Sequence, residues 1–210
     1  MDFDTLDTRL RAFETADDPT LPPGRHVVAR LDGRGFTRLT REVHAFDAPF
    51  DPRFRDHMVA TAAHLMECGF RALLAYTQSD EISLLLHPYD DTFGRKARKW
   101  ISVLAGEASA AFSARLGAPA AFDSRLAVLP DRRSVLDVFR WRQADALRNA
   151  LNAHAYWALR KSGIGADDAS RRLAGLPVDA KKALVRELTG TAFADTPVWQ
   201  RHGIALHPEA

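Results

Sequence analysis

Two strand-like runs, Arg71 to Thr77 and Ile82 to His87, are separated only by Gln78-Ser79-Asp80-Glu81. A connection that short forces the runs side by side and antiparallel, as a hairpin with an acidic pair at its tip. A third apolar run, His26 to Leu31, closes on Asp32-Gly33-Arg34-Gly35-Phe36, again placing a carboxylate where a strand gives way to a turn. Glycines at 33 and 35 let the backbone approach a ligand closely and offer amides to phosphate oxygens. A carboxylate beside them can hold Mg²⁺. Read apart, each segment is also an ordinary turn built from Asp, Gly and Ser. Read together, they point to nucleotide and metal chemistry.

Between and after these runs the pattern changes period. Asp51-Pro52 opens a helix, with Asp51 as the N-cap and proline at the first helical position. Phe54, Met58, Ala62, Leu65 and Met66 recur on one side of it until Gly69 stops it. A long helix is predicted over 91–116, with Trp100, Val103, Leu104 and Phe112 inward, and with Arg95, Lys96, Arg98 and Lys99 near its start. Residues 121–129 read as a fourth strand ended by Pro130. The order βαββαβ is the split arrangement of a ferredoxin-like α+β domain with an antiparallel sheet. A short amphipathic helix precedes it, and its Phe3, Leu6, Leu10 and Phe13 are expected to pack on the core. From Ser134 onward only helices are expected: one from 134 to 161, then pieces near 167–174 and 179–188, broken at Gly163 with Gly165 and at Gly175 with Pro177. The expected division is a catalytic domain over 1–133 and a helical lobe over 134–210.

Charge is also uneven along the chain, with its break near residue 90. Residues 1–90 carry 10 Lys and Arg against 15 Asp and Glu, whereas 91–210 carry 19 against 12, inside a net charge of only +2. An acidic part that holds metal and a basic part that grips a polyanion is the functional reading; solvated helix faces are the alternative. The single cysteine, Cys68, excludes an internal disulfide framework and fits a reducing compartment. No apolar run approaches the roughly 18 residues of a membrane span, and the opening MDFDTLDTRL is too polar for a signal peptide, so a cytoplasmic protein with no membrane contact is expected. His57 and His64 stand seven apart on one helix, too far for one ion, and no Ser-His-Asp or Cys-His set presents itself. Trp141, Tyr156 and Trp157 could stack on bases, but aromatics at this spacing more often pack a helix into a core, and the core is the favoured reading. Arg132, Arg133, Arg140, Arg142 and Arg148 are the candidates for phosphate contacts.

Four motifs in order, A-R-L-D-G-R-G-F at 29–36, Y-T-Q-S-D-E-I-S at 76–83, F-D-S-R-L at 122–126 and W-R-Q-A-D at 141–145, resemble the tRNA(His) guanylyltransferase family, including its bacterial and archaeal relatives that repair RNA 5′ ends. The resemblance covers nearly the whole chain. It implies a polymerase-like palm running in reverse: ATP adenylylates the 5′ phosphate of a tRNA, and the 3′ hydroxyl of GTP then displaces AMP. It also implies two Mg²⁺ per active site, held by Asp32, the Gly33 carbonyl and Asp80, about 3.5 to 4 Å apart, and a homotetramer. Nucleotide binding falls on Asp32, Gly33, Arg34, Gly35, Phe36 and Thr37 and on Ser79-Asp80; Glu81 joins Asp32 and Asp80 as a catalytic candidate or does no more than pair with an arginine. The chain departs from the family where a lysine is common, at Ala48, and after W-R-Q-A-D, where Leu147, Arg148 and Ala150 replace a His-Ile-Asn-Asn run and Asn149 alone matches, as a further RNA-binding candidate. These departures argue for loose tRNA selectivity. A nucleotide cyclase on a similar palm and a non-catalytic RNA-binding protein are the competing readings.

Overall fold

A computed structural model describes residues 2–208. The chain runs α1 (Phe3–Thr15), β1 (His26–Gly33), α2 (Phe36–Arg38) continuing into a π-helical turn (Leu39–Val43), α3 (Pro52–Glu67), β2 (Ala72–Gln78), β3 (Glu81–Leu86), a 3-10 turn (Thr92–Arg95), α4 (Ala97–Leu116), β4 (Phe122–Leu129), α5 (Arg132–Lys161), α6 (Ala166–Leu173), α7 (Val178–Thr189), a 3-10 turn (Phe193–Asp195), α8 (Val198–His202) and β5 (Ile204–Leu206). The five strands form one sheet in the order β4-β1-β3-β2-β5, every neighbouring pair antiparallel. The first four strands thus have the βαββαβ connection expected, and the α+β class holds.

Alternation along the strands separates two faces. Val27, Ala29 and Leu31 of β1 and Ile82, Leu84 and Leu86 of β3 are fully buried against Met58, Ala62 and Leu65 of α3 and Trp100, Leu104 and Phe112 of α4. The opposite face carries Arg30 and Asp32 of β1 beside Ser83 and Glu81 of β3, and α5 lies over it. At 30 residues, α5 is about 45 Å long, and a second core gathers on it: Ala150, Leu151 and Ala155 with Val185 and Phe193. Among the described residues no helix is long and apolar enough to cross a membrane.

Three expectations are corrected here. Helix α1 does not pack on the core: none of its residues is buried, and Phe3 and Phe13 are 76% and 77% exposed. The apolar face of the sheet is already covered by α3 and α4, which leaves it nothing to pack against. The predicted helix over 91–116 is divided, because Phe93, Gly94 and Arg95 all take left-handed backbone angles and α4 begins only at Ala97. Arg95 is accordingly no surface cation at a helix start. It is buried, and its guanidinium donates to the carbonyls of Leu21, Pro22, Pro88 and Asp90, tying the segment before β1 to the end of β3. Finally, the region after Ser134 is not purely helical: Ile204–Leu206 pairs with β2 and extends the sheet. Gly203 makes this approach possible, since a Cβ there would lie 2.6 Å from the Thr77 carbonyl oxygen.

Candidate active site

The two acidic turns meet. Asp32 is opposite Glu81 across the β1–β3 ladder, and the Gly33 amide donates to the Asp80 carbonyl at 3.1 Å, stitching the end of β1 to the β2–β3 turn. Ser79 takes φ 53 in that two-residue turn, and its hydroxyl donates to the Asp80 carboxylate at 3.0 Å. Burial pushes the Asp80 carboxyl above its ordinary pKa and the nearby charge of Asp32 pushes it further. Two carboxylates so close, one of them desolvated, make a local excess of negative charge that a cation would relieve.

The turn after β1 is held rigid from below. Phe36 is buried and its ring centroid lies 5.0 Å from those of Phe112 and Phe122 and 6.0 Å from Phe54. Gly33 is required above it, because a Cβ there would sit 2.5 Å from the Phe36 ring. Phe36 is therefore an anchor packed in the core that also lines the cleft with Asp32 and Thr37, whereas Arg34 is exposed and does not line it. Gly35, with φ 72, is the cap of α2.

That cleft has a volume of about 670 Å³ and lies between the polar sheet face, the 44–51 loop, α5 and α8. Five arginines line it, Arg30, Arg41, Arg55, Arg142 and Arg148. The loop is fastened on several sides. Asp51 accepts from the Asp47 and Arg53 amides, both at 2.7 Å; Phe50 packs on His154 and Trp199; and the Lys161 ammonium donates to the Ala48 carbonyl at 2.7 Å. Arg41, in the π-helical turn, lies 5.3 Å from the Trp157 ring and 5.9 Å from that of Tyr156. π-Helical turns are often found at functional positions.

Glu81 is not a free carboxylate. The Arg142 guanidinium donates to its two oxygens at 3.0 and 3.4 Å, and Arg30 lies 3.9 Å away. Burial pushes its pKa up, against the pull of Arg142 and Arg30. Arg142, a candidate for a phosphate contact, lines the cleft as a buried ion-pair partner: its side chain is 7% exposed and also pairs with Asp145 at 3.5 Å. Trp141 is corrected. It was expected in the core and is 59% exposed, whereas Tyr156 and Trp157 are half-buried. Of the other basic candidates, Arg148 and Asn149 reach the cleft, while Arg132, Arg133 and Arg140 stand exposed on α5 outside it. His64 pairs with Glu107 across α3 and α4, and among the described residues no three His, Cys, Asp or Glu side chains converge as a metal cluster.

Arg30 and Arg41 were missed by the sequence reading. Arg30 had a signal, since alternation through 27–32 puts it on the same face as Asp32; Arg41 had none, because its place depends on α5 lying over the turn.

The sequence model of the family described as tRNAHis guanylyltransferase matches residues 7–130, more than half of the chain. A mouse protein named probable tRNA(His) guanylyltransferase is 34% identical over 208 residues, covering 94% of this chain and 68% of its own. A bacterial tRNA(His) guanylyltransferase-like protein solved in complex with ATP superposes with a TM-score of 0.85 at 30% identity, over 97% of this chain and 89% of its own. A structure of such a bacterial protein in complex with GTP gives 0.74 at 27% identity, over 98% and 85%.

Proposed function

Because the chain belongs to the tRNA(His) guanylyltransferase family and is a nucleotidyltransferase, we propose that it adds a nucleotide, GTP by preference, to the 5′ end of a tRNA in the 3′-to-5′ direction. What carries this reading is the Gly33–Asp80 hydrogen bond, which holds Asp32 and Asp80 together on the floor of one cleft. ATP and GTP as substrates are supported by the nucleotide complexes of the bacterial relatives.

The oxygen-only set of Asp32, the Gly33 carbonyl and Asp80 fits Mg²⁺, which is commonly held by one or two carboxylates with substrate phosphates completing its shell. Two Mg²⁺ bound there would lower the pKa of the attacking hydroxyl and stabilise the leaving oxygen. The protein's part is positioning and charge neutralisation. In the first step an oxygen of the RNA 5′ phosphate attacks the α-phosphorus of ATP and pyrophosphate leaves. In the second, the 3′ oxygen of GTP attacks the activated 5′ phosphorus, AMP leaves, and the hydroxyl proton passes to solvent. The amides of Gly35, Phe36 and Thr37, and the Ser79 hydroxyl once it turns from Asp80, would cradle phosphate oxygens, and Arg41 and Arg148 would balance their charge. Glu81 acts here as a positioning residue: through Arg142 it fixes the hairpin to α5.

Residues 1–133 form the catalytic, palm-like part in this reading, and 134–210 the part that holds RNA, with Arg132 and Arg133 at the junction and Arg140, Arg148 and Asn149 beyond it. A homotetramer in the cytoplasm completes the proposal, the lone thiol Cys68 being consistent with a reducing compartment. The decisive experiment supplies Mg²⁺, ATP, labelled GTP and a panel of 5′-truncated, 5′-monophosphorylated tRNAs. Label should enter tRNAs of several identities, directed by the base opposite, because Leu147 offers no hydrogen-bonding group and Ala150 is fully buried. Label in a cyclic nucleotide, or in no product, refutes the reaction; label in tRNA(His) alone refutes the loose selectivity.

A further inference from the structure

Trp141 lines the cleft and leaves 59% of its surface in water, forgoing the burial that a large aromatic side chain ordinarily gains. Its ring is backed on one side. The Arg142 guanidinium carbon lies 3.8 Å from the ring centroid, and Arg142 is itself held by Glu81 at 3.0 Å and Asp145 at 3.5 Å. One side of the indole thus rests on a fixed cation and the rest faces the cleft. A single guanidinium separates it from Glu81, the residue next to Asp80. Arg148, seven residues on and therefore on the same side of α5, adds a cation about 10 Å further along the helix. An aromatic plane interleaved with arginines is the arrangement by which grooves hold single-stranded nucleic acid, since every base offers a flat face.

We propose that Trp141 is a stacking platform for a nucleobase in the cleft. The assignment rests on the nucleotidyl-transfer reading above. The base belongs either to the nucleoside triphosphate or to the 5′-terminal nucleotide of the RNA, and the two sources are separated by experiment.

Trp141→Ala, Trp141→Leu and Trp141→Phe test the platform, with binding measured without Mg²⁺ in two arms, ATP or GTP alone and fluorescently labelled 5′-monophosphorylated tRNA. Ala and Leu should weaken at least one arm about 5- to 150-fold, the range that the stacking of one base spans, and Phe, which keeps a flat ring, should retain most of the affinity. Loss confined to the triphosphate arm assigns the base to the nucleotide; loss confined to the tRNA arm assigns it to the RNA terminus. The platform is refuted if Ala binds both ligands as the wild type does, if Phe falls as far as Ala, or if Ala changes only the oligomeric state, which would make this surface a contact between copies. Wild-type protein that adds nucleotides while Trp141→Ala keeps full affinity overturns the platform alone. Wild-type protein that neither binds nor adds overturns the reaction as well.

Discussion

Replacing Arg142 by alanine should cost far more than the loss of one ion pair at a surface would. Arg142 is 7% exposed and meets Glu81 at 3.0 Å, a separation at which the bare attraction at an effective dielectric constant of about 20 is on the order of 5 kcal/mol. Desolvation of the two groups offsets most of that gain, so the intact pair adds little net stability. Removing one member is different, because Glu81 is then left charged on a largely covered sheet face. Such losses run about 3 to 5 kcal/mol. The lower end applies here, since Glu81 keeps 22% exposure and Arg30 remains 3.9 Å away. With a urea slope of about 2 kcal/mol per molar, a 3 kcal/mol loss moves the unfolding midpoint by about 1.5 M. Alanine is a good helix former, so α5 itself should persist.

The deficit should also depend on pH. Burial already holds the Glu81 pKa above its unfolded value, and loss of Arg142 removes the largest opposing influence. A raised carboxyl pKa means that the folded state binds the proton more tightly, so stability falls as pH rises from the unfolded pKa through the folded one. The gap between wild type and Arg142→Ala should therefore be wider at pH 7 than at pH 5. Glu81→Gln in the Arg142→Ala background should recover part of the loss, because it removes the stranded charge. Urea titrations of the two single variants and the double variant at both pH values would test this. A deficit under 1 kcal/mol, or one equal at the two pH values, would refute the reasoning.

Asp32→Asn and Asp80→Asn should each abolish nucleotide addition with no fall in thermal midpoint. For Asp80 the midpoint should hold or rise, since the change removes a buried charge facing Asp32; near-normal turnover in a folded variant would sink the metal assignment. Replacing Arg132 and Arg133 together should flatten the log-log salt dependence of tRNA binding by about 0.7 to 0.9 for each phosphate that is no longer neutralised, and an unchanged slope would move the RNA path elsewhere. Asp51→Ala should cost about 1 kcal/mol as a lost N-cap. The Asp51 carboxyl is lowered to about 2, first by the Arg53 side chain and then by the Asp47 and Arg53 amides. A lowered carboxyl pKa contributes stability above the unfolded value, so the cost should shrink as pH falls from about 4 towards 2; acid unfolding curves that stay parallel would count against it.

The strands, the α3 cap, the glycine stops and the two acidic turns could all be read from the chain, because each is decided within a few residues. Alternation of Val27, Ala29 and Leu31 marks a buried strand face wherever the strand lies, and Asp51-Pro52 starts a helix by local hydrogen bonding and a restricted φ. The order of those elements brought the Asp32 and Asp80 turns together before any packing was known. The exceptions are residues whose state depends on a distant surface. Phe3 and Phe13 have the spacing of a packed helix, but periodicity says only that an apolar face exists, and here α3 and α4 have taken the surface it would need. Ile204–Leu206 is too short to show a period and is a strand only because the edge of β2 is open to it. Arg142 and Trp141 are neighbours in sequence, the arginine a candidate for a phosphate contact and the tryptophan favoured for the core. Only the fold decided their places: α5 lies over the polar face of the sheet, where a buried carboxylate requires a partner, so Arg142 turns inward to Glu81 and Trp141 is left facing the cleft.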